Sequence, residues 1–294
     1  MINKNIIIAA LARNCEDSLK TNIPLIERLR AQFSWSQVVV VENDSIDGTK
    51  ALLNDWKLNY DQVTIISNDY GTKTIPDKSD LIQNPMTSYQ RIEKMVFYRN
   101  LYLDYISEVK HPIDLVIIID IDVIEISLNG LIDAINAFDH KTGAVFSNGM
   151  SVMQTPFGLS EIYYDTFAVW EYPASDEFSY SDESLNRTFR SINKNIKKSP
   201  MYGVISAFGG VGIYNYQAIK DLRYQTVLNP LNQREAICEH IPFNREIIKQ
   251  GFYNYIARDF RVIYERHSWT LILKLILPLK VFNFLYPVIL KLKK

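Results

Sequence analysis

Asp120 and Asp122 flank a single isoleucine at the end of the apolar run Asp114-Leu115-Val116-Ile117-Ile118-Ile119. Two hard oxygen donors at one strand end suit Mg²⁺ or Mn²⁺ carrying a diphosphate, since such ions accept one or two carboxylates and complete their shell with water and substrate oxygens. The plainer alternative is a strand that ends in polar residues, because Asp is common in turns. Upstream, Gln37-Val38-Val39-Val40-Val41 runs into Glu42-Asn43-Asp44-Ser45-Ile46-Asp47-Gly48-Thr49. Glu42 accepts hydrogen bonds and Asn43 both donates and accepts, which suits a base or a ribose. The same stretch is dense in turn formers and reads equally as a strand-to-helix turn, with Asp47 capping the helix that follows. Arg91, Lys94 and Arg99 form a third set, either reaching a phosphate or lying on a solvated face.

These groups meet only if regular elements bring them to one place. Hydrophobic periodicity predicts strands over 5–12, 37–42, 62–67, 113–120 and 143–147, with helices over 16–32, 48–58, 88–108 and 128–138 between them. Such alternation implies an α/β fold with a mostly parallel, doubly wound, Rossmann-like sheet. Ligands of open parallel sheets sit at the carboxyl ends of the strands, where both acidic sets fall. After Met150 the pattern turns irregular and aromatic, and 173–200 reads as a polar loop. A strand over 204–214, a helix over 242–250 and a strand over 260–265 complete the order. With no Gly/Ser/Pro-rich linker, the expectation is one catalytic domain over 1–267, its halves meeting near residue 150, and a separate tail over 268–294.

The order strand, Glu-Asn-Asp-Ser-x-Asp-Gly-Thr, helix, strand, helix with Arg-Asn, strand, Asp-x-Asp resembles the nucleotide-sugar-binding half of GT-A glycosyltransferases. Family-2 glycosyltransferases share a related pattern. The Glu-Asn-Asp-Ser form is closer to the fungal capsule-associated (cryptococcal) α-1,3-mannosyltransferase family, as are Arg13-Asn14-Cys15, Tyr164-Asp165, Ser206-Ala207-Phe208-Gly209-Gly210 and Cys238-Glu239-His240. The resemblance implies sugar transfer from a nucleoside diphosphate sugar, GDP-mannose or a UDP-sugar, to a hydroxyl of a glycan or lipid-linked acceptor in surface polysaccharide synthesis. It implies Mn²⁺ or Mg²⁺ on Asp122 and Asp120, with His267 completing the shell. Arg13, Glu42, Asn43 and Asp44 would then frame the nucleoside, and Arg91 and Arg99 would stand near the phosphates or brace the strand ends. Gly209 and Gly210 would floor the sugar site. Glu239 would act on the acceptor side, as a base in an inverting reaction or a sugar holder in a retaining one, with Trp170 and His240 nearby. GDP-mannose and retention follow for the fungal family by analogy. The fungal proteins are usually longer and carry an N-terminal membrane anchor, whereas this chain begins directly at its first strand.

From the residues alone, Gly209 and Gly210 read as bulges permitting close backbone approach, and Glu239 as an exposed helix-start acid. A net charge of −1 gives no electrostatic case for nucleic-acid binding. Two cysteines, Cys15 and Cys238, are too few for a disulfide framework and suit a reducing, cytoplasmic setting. Ser268–Lys294 contains no acid and five lysines among Trp269, Phe282, Phe284, Tyr286 and many aliphatic residues. Lysines and prolines inside that run argue against a spanning helix and for peripheral contact with the cytoplasmic face of a membrane. Packing on the domain or a dimer contact is the alternative. A nucleotidyltransferase, or a non-catalytic sugar-nucleotide-binding protein, is the competing function; Ala9–Asn14 lacks the glycine-rich basic loop of the former.

Overall fold

The computed structural model describes residues 1–79, 82, 84–155, 158–172 and 181–264, with 281, 284 and 285. His267 and, those three residues apart, the tail lie outside them. The elements are β1 (Ile2–Ala12), α1 (Glu16–Arg30), β2 (Phe33–Asn43), α2 (Thr49–Asn59), β3 (Val63–Asn68), α3 (Tyr89–Glu108), β4 (Leu115–Asp120), β5 (Glu125–Ile126) and α4 (Leu128–Asn136). They continue with β6 (Thr142–Thr155), β7 (Gly158–Tyr163), α5 (Asp182–Ile196), β8 (Met201–Val204), β9 (Val211–Asn215) and α6 (Tyr216–Ile219). The last are β10 (Val227–Asn229), β11 (Asn232–Ile237), α7 (His240–Lys249) and β12 (Tyr253–Ile263).

Ile6–Ala10, Val38–Val41 and Leu115–Ile119 are buried throughout, the pattern of strands covered on both faces. They lie side by side in a ten-stranded sheet of order β3-β2-β1-β4-β9-β6-β12-β5, with β7 and β8 joined at its side. The first four strands are mutually parallel. β9 then runs antiparallel between β4 and β6, and β12 is parallel to β6. Helices cover both faces. Leu19, Ile26, Leu53 and Leu131 of α1, α2 and α4 pack with Ile6, Val40 and Ile117 on one side. Tyr102, Ile106, Ile192 and Ile247 of α3, α5 and α7 pack with Ile7, Val39 and Ile118 on the other. Register aligns the strand ends that matter: Ala12 pairs with Glu42, and Leu11 with Asp120.

Three expectations are corrected. The polar loop over 173–200 is largely helix α5, capped by Ser181, whose Oγ accepts from Ser184 N, and anchored by buried Ile192 and Ile196. Residues 173–180 lie outside the described set. The single strand over 204–214 is two strands, broken where Gly209 (φ +67°) and Gly210 (φ +92°) turn the chain. β12 begins at Tyr253 rather than near residue 260, because a bulge between Ala257 and Arg261 interrupts its alternation against β6. Among the described residues no helix is long and apolar enough to cross a membrane.

Candidate active site

The level ends of β1, β2 and β4 open into a cavity of about 570 Å³. Its nucleotide side is built by two connections that lace together. Asn14 N donates to Ser45 Oγ (3.1 Å), Ile46 N to Asn14 Oδ1 (2.9 Å), and Cys15 N to Thr49 Oγ1 (2.8 Å). Asp47 accepts from Thr49 N at 3.0 Å, so it restrains the first turn of α2 much as a cap would.

The acidic turn after β2 divides into a brace and a lining residue. Glu42 is fully buried; its carboxylate accepts from Ser45 N (2.8 Å) and from the Ser67 hydroxyl. It stiffens the turn and is not presented to a ligand, which corrects the expectation that it frames the nucleoside. Asp44, at φ +51°, accepts from Gly71 N (2.6 Å) and lies 3.9 Å from Arg13. Arg13 donates to Thr72 O (2.9 Å) and Thr74 Oγ1 (2.8 Å), so it shapes the loop after β3 while lining the cavity. Asn43 lines the cavity too, with its amide nitrogen donating to Asp44.

Asp120 and Asp122 stand at the centre. The loop between and beyond them is pinned from below by Asn22 of α1, fully buried, which donates to Ile121 O (2.8 Å) and Val123 O (2.6 Å). A lone Asn on the apolar face of a helix is the signal that would have found it. Asp120 N donates to Gly210 O at 2.8 Å. Burial raises the Asp120 pKa, against the opposing pull of Arg99, and Asp122, Asp165 and Glu239 raise it further. Asp122 is exposed at the surface, but the walls of the depression restrict its hydration and lift its pKa as well. Among the described residues no other side chain bonds the Asp122 carboxylate, and no three potential ligands surround one point. Two under-solvated carboxylates fit Mg²⁺ or Mn²⁺, whose shells phosphate oxygens and water would complete.

Arg99 lies beneath, 4% exposed, donating through Nε to Glu239 Oε1 at 2.9 Å and standing 3.8 Å from Asp120 Oδ1. Its guanidinium lies over the rings of Phe208 and Tyr224, at 5.4 and 5.6 Å. Arg99 is therefore a buried tie between the two acids rather than a freely reaching phosphate ligand. Arg91 suits the phosphate role: it lines the cavity, donates to Met86 O (3.0 Å), and keeps its buried Nε without a partner among the described residues. Glu239 is 3% exposed, not a surface acid, and borders the cavity.

Gly209 and Gly210 lie behind the floor, where a Cβ on Gly209 would meet Ser147 O at 2.3 Å. Their backbone links the acids: Gly210 O receives Asp120 N, and Gly209 N donates to Asp165 Oδ2 at 2.9 Å. His240 lines the cavity, stacked on Phe208 at 4.1 Å, and burial holds its pKa well below the usual range. Trp170 is buried in a bridge with Ser206, under Arg245, away from the cavity lining, so the structure does not bring it to the site. Both cysteines are free and buried; burial pushes Cys15 up to about 11 and Cys238 well above its usual value.

Asp165, to which sequence reading gives no role, also lines the cavity, and burial pushes its pKa up to about 7. An unfolded aspartate titrates near 3.9, so the folded state holds this proton more tightly. Its contribution to stability is therefore present below about pH 4 and lost as pH rises through about 7. Asp165→Asn should thus gain Tm relative to the wild type between pH 4.5 and 7.5; a constant difference in thermal melts would refute the shift.

A parallel half-sheet with acids at its strand ends, crossed by an antiparallel strand, is the GT-A fold class of glycosyltransferases. The chain belongs to the cryptococcal mannosyltransferase 1 family, whose profile matches residues 5–242. Among curated proteins no relative matches the chain. Among solved structures it is similar to the mannosyltransferase PcManGT from Pyrobaculum calidifontis in complex with GDP-Man and Mn²⁺. That match has 12% identity and a TM-score of 0.50, and covers 92% of this chain and 60% of that one. It is also similar to S. aureus TarS 1–349 in complex with UDP-GlcNAc, at 14% identity and a TM-score of 0.44, covering 90% of this chain and 59% of the other. At such identities the likeness to PcManGT shows the fold, and the chain spans about 60% of that protein's length.

Proposed function

We propose that the protein is a metal-dependent glycosyltransferase moving a sugar, with GDP-mannose the favoured donor, to a hydroxyl of a glycan or lipid-linked acceptor. The observation that carries this reading is the gathering of Asp120, Asp122, Asp165 and Glu239 around one cavity whose other side presents Asn43, Arg13 and Arg91. Family membership supports it, and the PcManGT structure holds GDP-Man and Mn²⁺.

Asn43 and the Arg13-shaped loop receive the nucleoside, and Arg91 directs its guanidinium at the diphosphate. Asp120 and Asp122 would hold Mg²⁺ or Mn²⁺, which when bound supplies Lewis-acid stabilisation to the departing diphosphate. Arg99 fixes Glu239 toward the acceptor side, where its carboxylate either takes the acceptor proton or steadies the donor sugar. Asp165, anchored on Gly209 N, borders the same space.

A thermal-shift panel of GDP-, UDP- and CMP-sugars with and without Mn²⁺ tests this. A donor at a hundredfold excess over its Kd stabilises the native state by about 2.7 kcal/mol, and the shift should require the ion. If no nucleotide sugar stabilises the folded protein, the proposal fails. Peripheral contact with the cytoplasmic face of a membrane is proposed as well, on the lysine-rich and aromatic composition of 268–294. Liposome flotation that is indifferent to deleting 268–294 would remove it.

A further inference from the structure

We infer that the acceptor is an amphiphile, its reacting hydroxyl carried close to an alkyl or isoprenyl chain, and that the cavity beyond β4 is the wall receiving that chain. This rests on the glycosyl-transfer reading. The cavity is chemically divided. Toward β1 and β2 it offers Arg13, Asn43 and Thr74, and the acids occupy its centre. Beyond them stand Met86, Phe167, Ala168, Leu185 and Phe208, contributed by four separate segments that converge on one side. Met86 and Thr87 are held there by backbone pairing of Thr87 O with Ala236 N (2.9 Å), beside Cys238 and Glu239. Leu185 comes from α5, which packs on β7 and the turn at Thr166–Ala168.

Thr87 and Arg99 on this side are turned to other tasks, while the His240 ring nitrogens and Arg91 Nε are buried without a partner among the described residues. The Thr87 hydroxyl donates to Glu235 Oε1 at 2.9 Å. His240 lies flat on Phe208 with both ring nitrogens shielded from solvent, and Arg99 is committed to Glu239. Arg91 beside Met86, Thr166, the His240 ring and the buried Cys238 thiol apart, the described residues of this wall present hydrocarbon. A free glycan desolvated there would leave hydroxyls unpaired, which is costly, whereas a hydrocarbon chain removes apolar surface from water. Met86 is 49% exposed and Leu185 is part-exposed, so apolar surface remains there for a ligand to cover.

The test compares methyl and n-octyl glycosides of mannose, glucose and galactose, below micellar concentrations, on the full chain with GDP-mannose and Mn²⁺. The readout is the concentration giving half-maximal effect on donor turnover, whether by transfer or by inhibition of donor hydrolysis. Burying even two or three methylenes on the wall makes the octyl compounds at least about tenfold more potent than the methyl compounds. Leu185→Gln and the more exposed Met86→Gln should each bring the octyl-to-methyl ratio toward one. Equal potency in the wild type, with donor hydrolysis intact, would overturn the amphiphile and leave glycosyl transfer standing. A ratio that neither substitution changes would overturn the wall. Folded protein that neither hydrolyses nor transfers any donor would overturn the underlying reading, and this one with it.

Discussion

Asp122→Asn is expected to fold normally and to lose sugar transfer. The Asp122 carboxylate is exposed at a strand end and bonded by no other side chain among the described residues, so its removal costs little packing. Its pKa is raised chiefly by limited hydration, so neutralising it relieves a small destabilisation above the ordinary carboxylate range. The apo variant should therefore melt at or slightly above the wild-type temperature near neutral pH. Transfer is another matter. A catalytic cation supplies several kcal/mol of charge stabilisation, and losing it costs on the order of 10³-fold in turnover. The same substitution should abolish any Mn²⁺-dependent rise in Tm. Wild-type turnover by Asp122→Asn, or undiminished turnover in EDTA, would end the metal assignment.

Arg99→Met should have the largest effect on stability. The side chain is 4% exposed, and its loss strands Glu239 at 3% exposure and leaves Asp120 facing Asp122 and Asp165 without a cation. Breaking a buried pair from one side costs about 3–5 kcal/mol. For a chain of this size that is a fall in Tm on the order of 10 °C. Replacing both partners, in Arg99→Met with Glu239→Leu, removes the stranded Glu239 charge and should recover part of the loss, while transfer stays absent. A double variant as unstable as the single one would mean that Arg99 acts through its packing on Phe208 and Tyr224 instead.

Asp120-Ile121-Asp122 was legible in the sequence because a β-branched run ending in two acids has few structural readings. The parallel half of the sheet followed from the same runs. Glu42 was not legible in its true role: an acid in an Asn-Asp-Ser turn looks alike whether it faces a ligand or closes on Ser45 and Ser67. Arg99 shows the converse, since nothing in Tyr98-Arg99-Asn100 marks a cation as buried until Glu239 arrives from 140 positions away. Helix α5 escaped because polar residues dominate its composition. Its buried Ile192 and Ile196 are four apart, a helical spacing that outweighs composition once the neighbouring sheet is in place. The interruption of β8 and β9 had a local sign, the Gly209-Gly210 pair, but strand propensity on either side masked it.

That glycine pair has an evolutionary consequence. One turn of backbone receives Asp120 N and supplies the donor for Asp165, so main-chain geometry, not side-chain packing, sets the spacing between the two acids. Two of the residues that would meet an acceptor, Met86 and Leu185, belong to other segments, and among the described residues neither is hydrogen-bonded to that turn. Substitutions among them leave the ruler untouched. Such a chain is free to exchange one acceptor for another by drift in its peripheral segments while its chemistry stays in register.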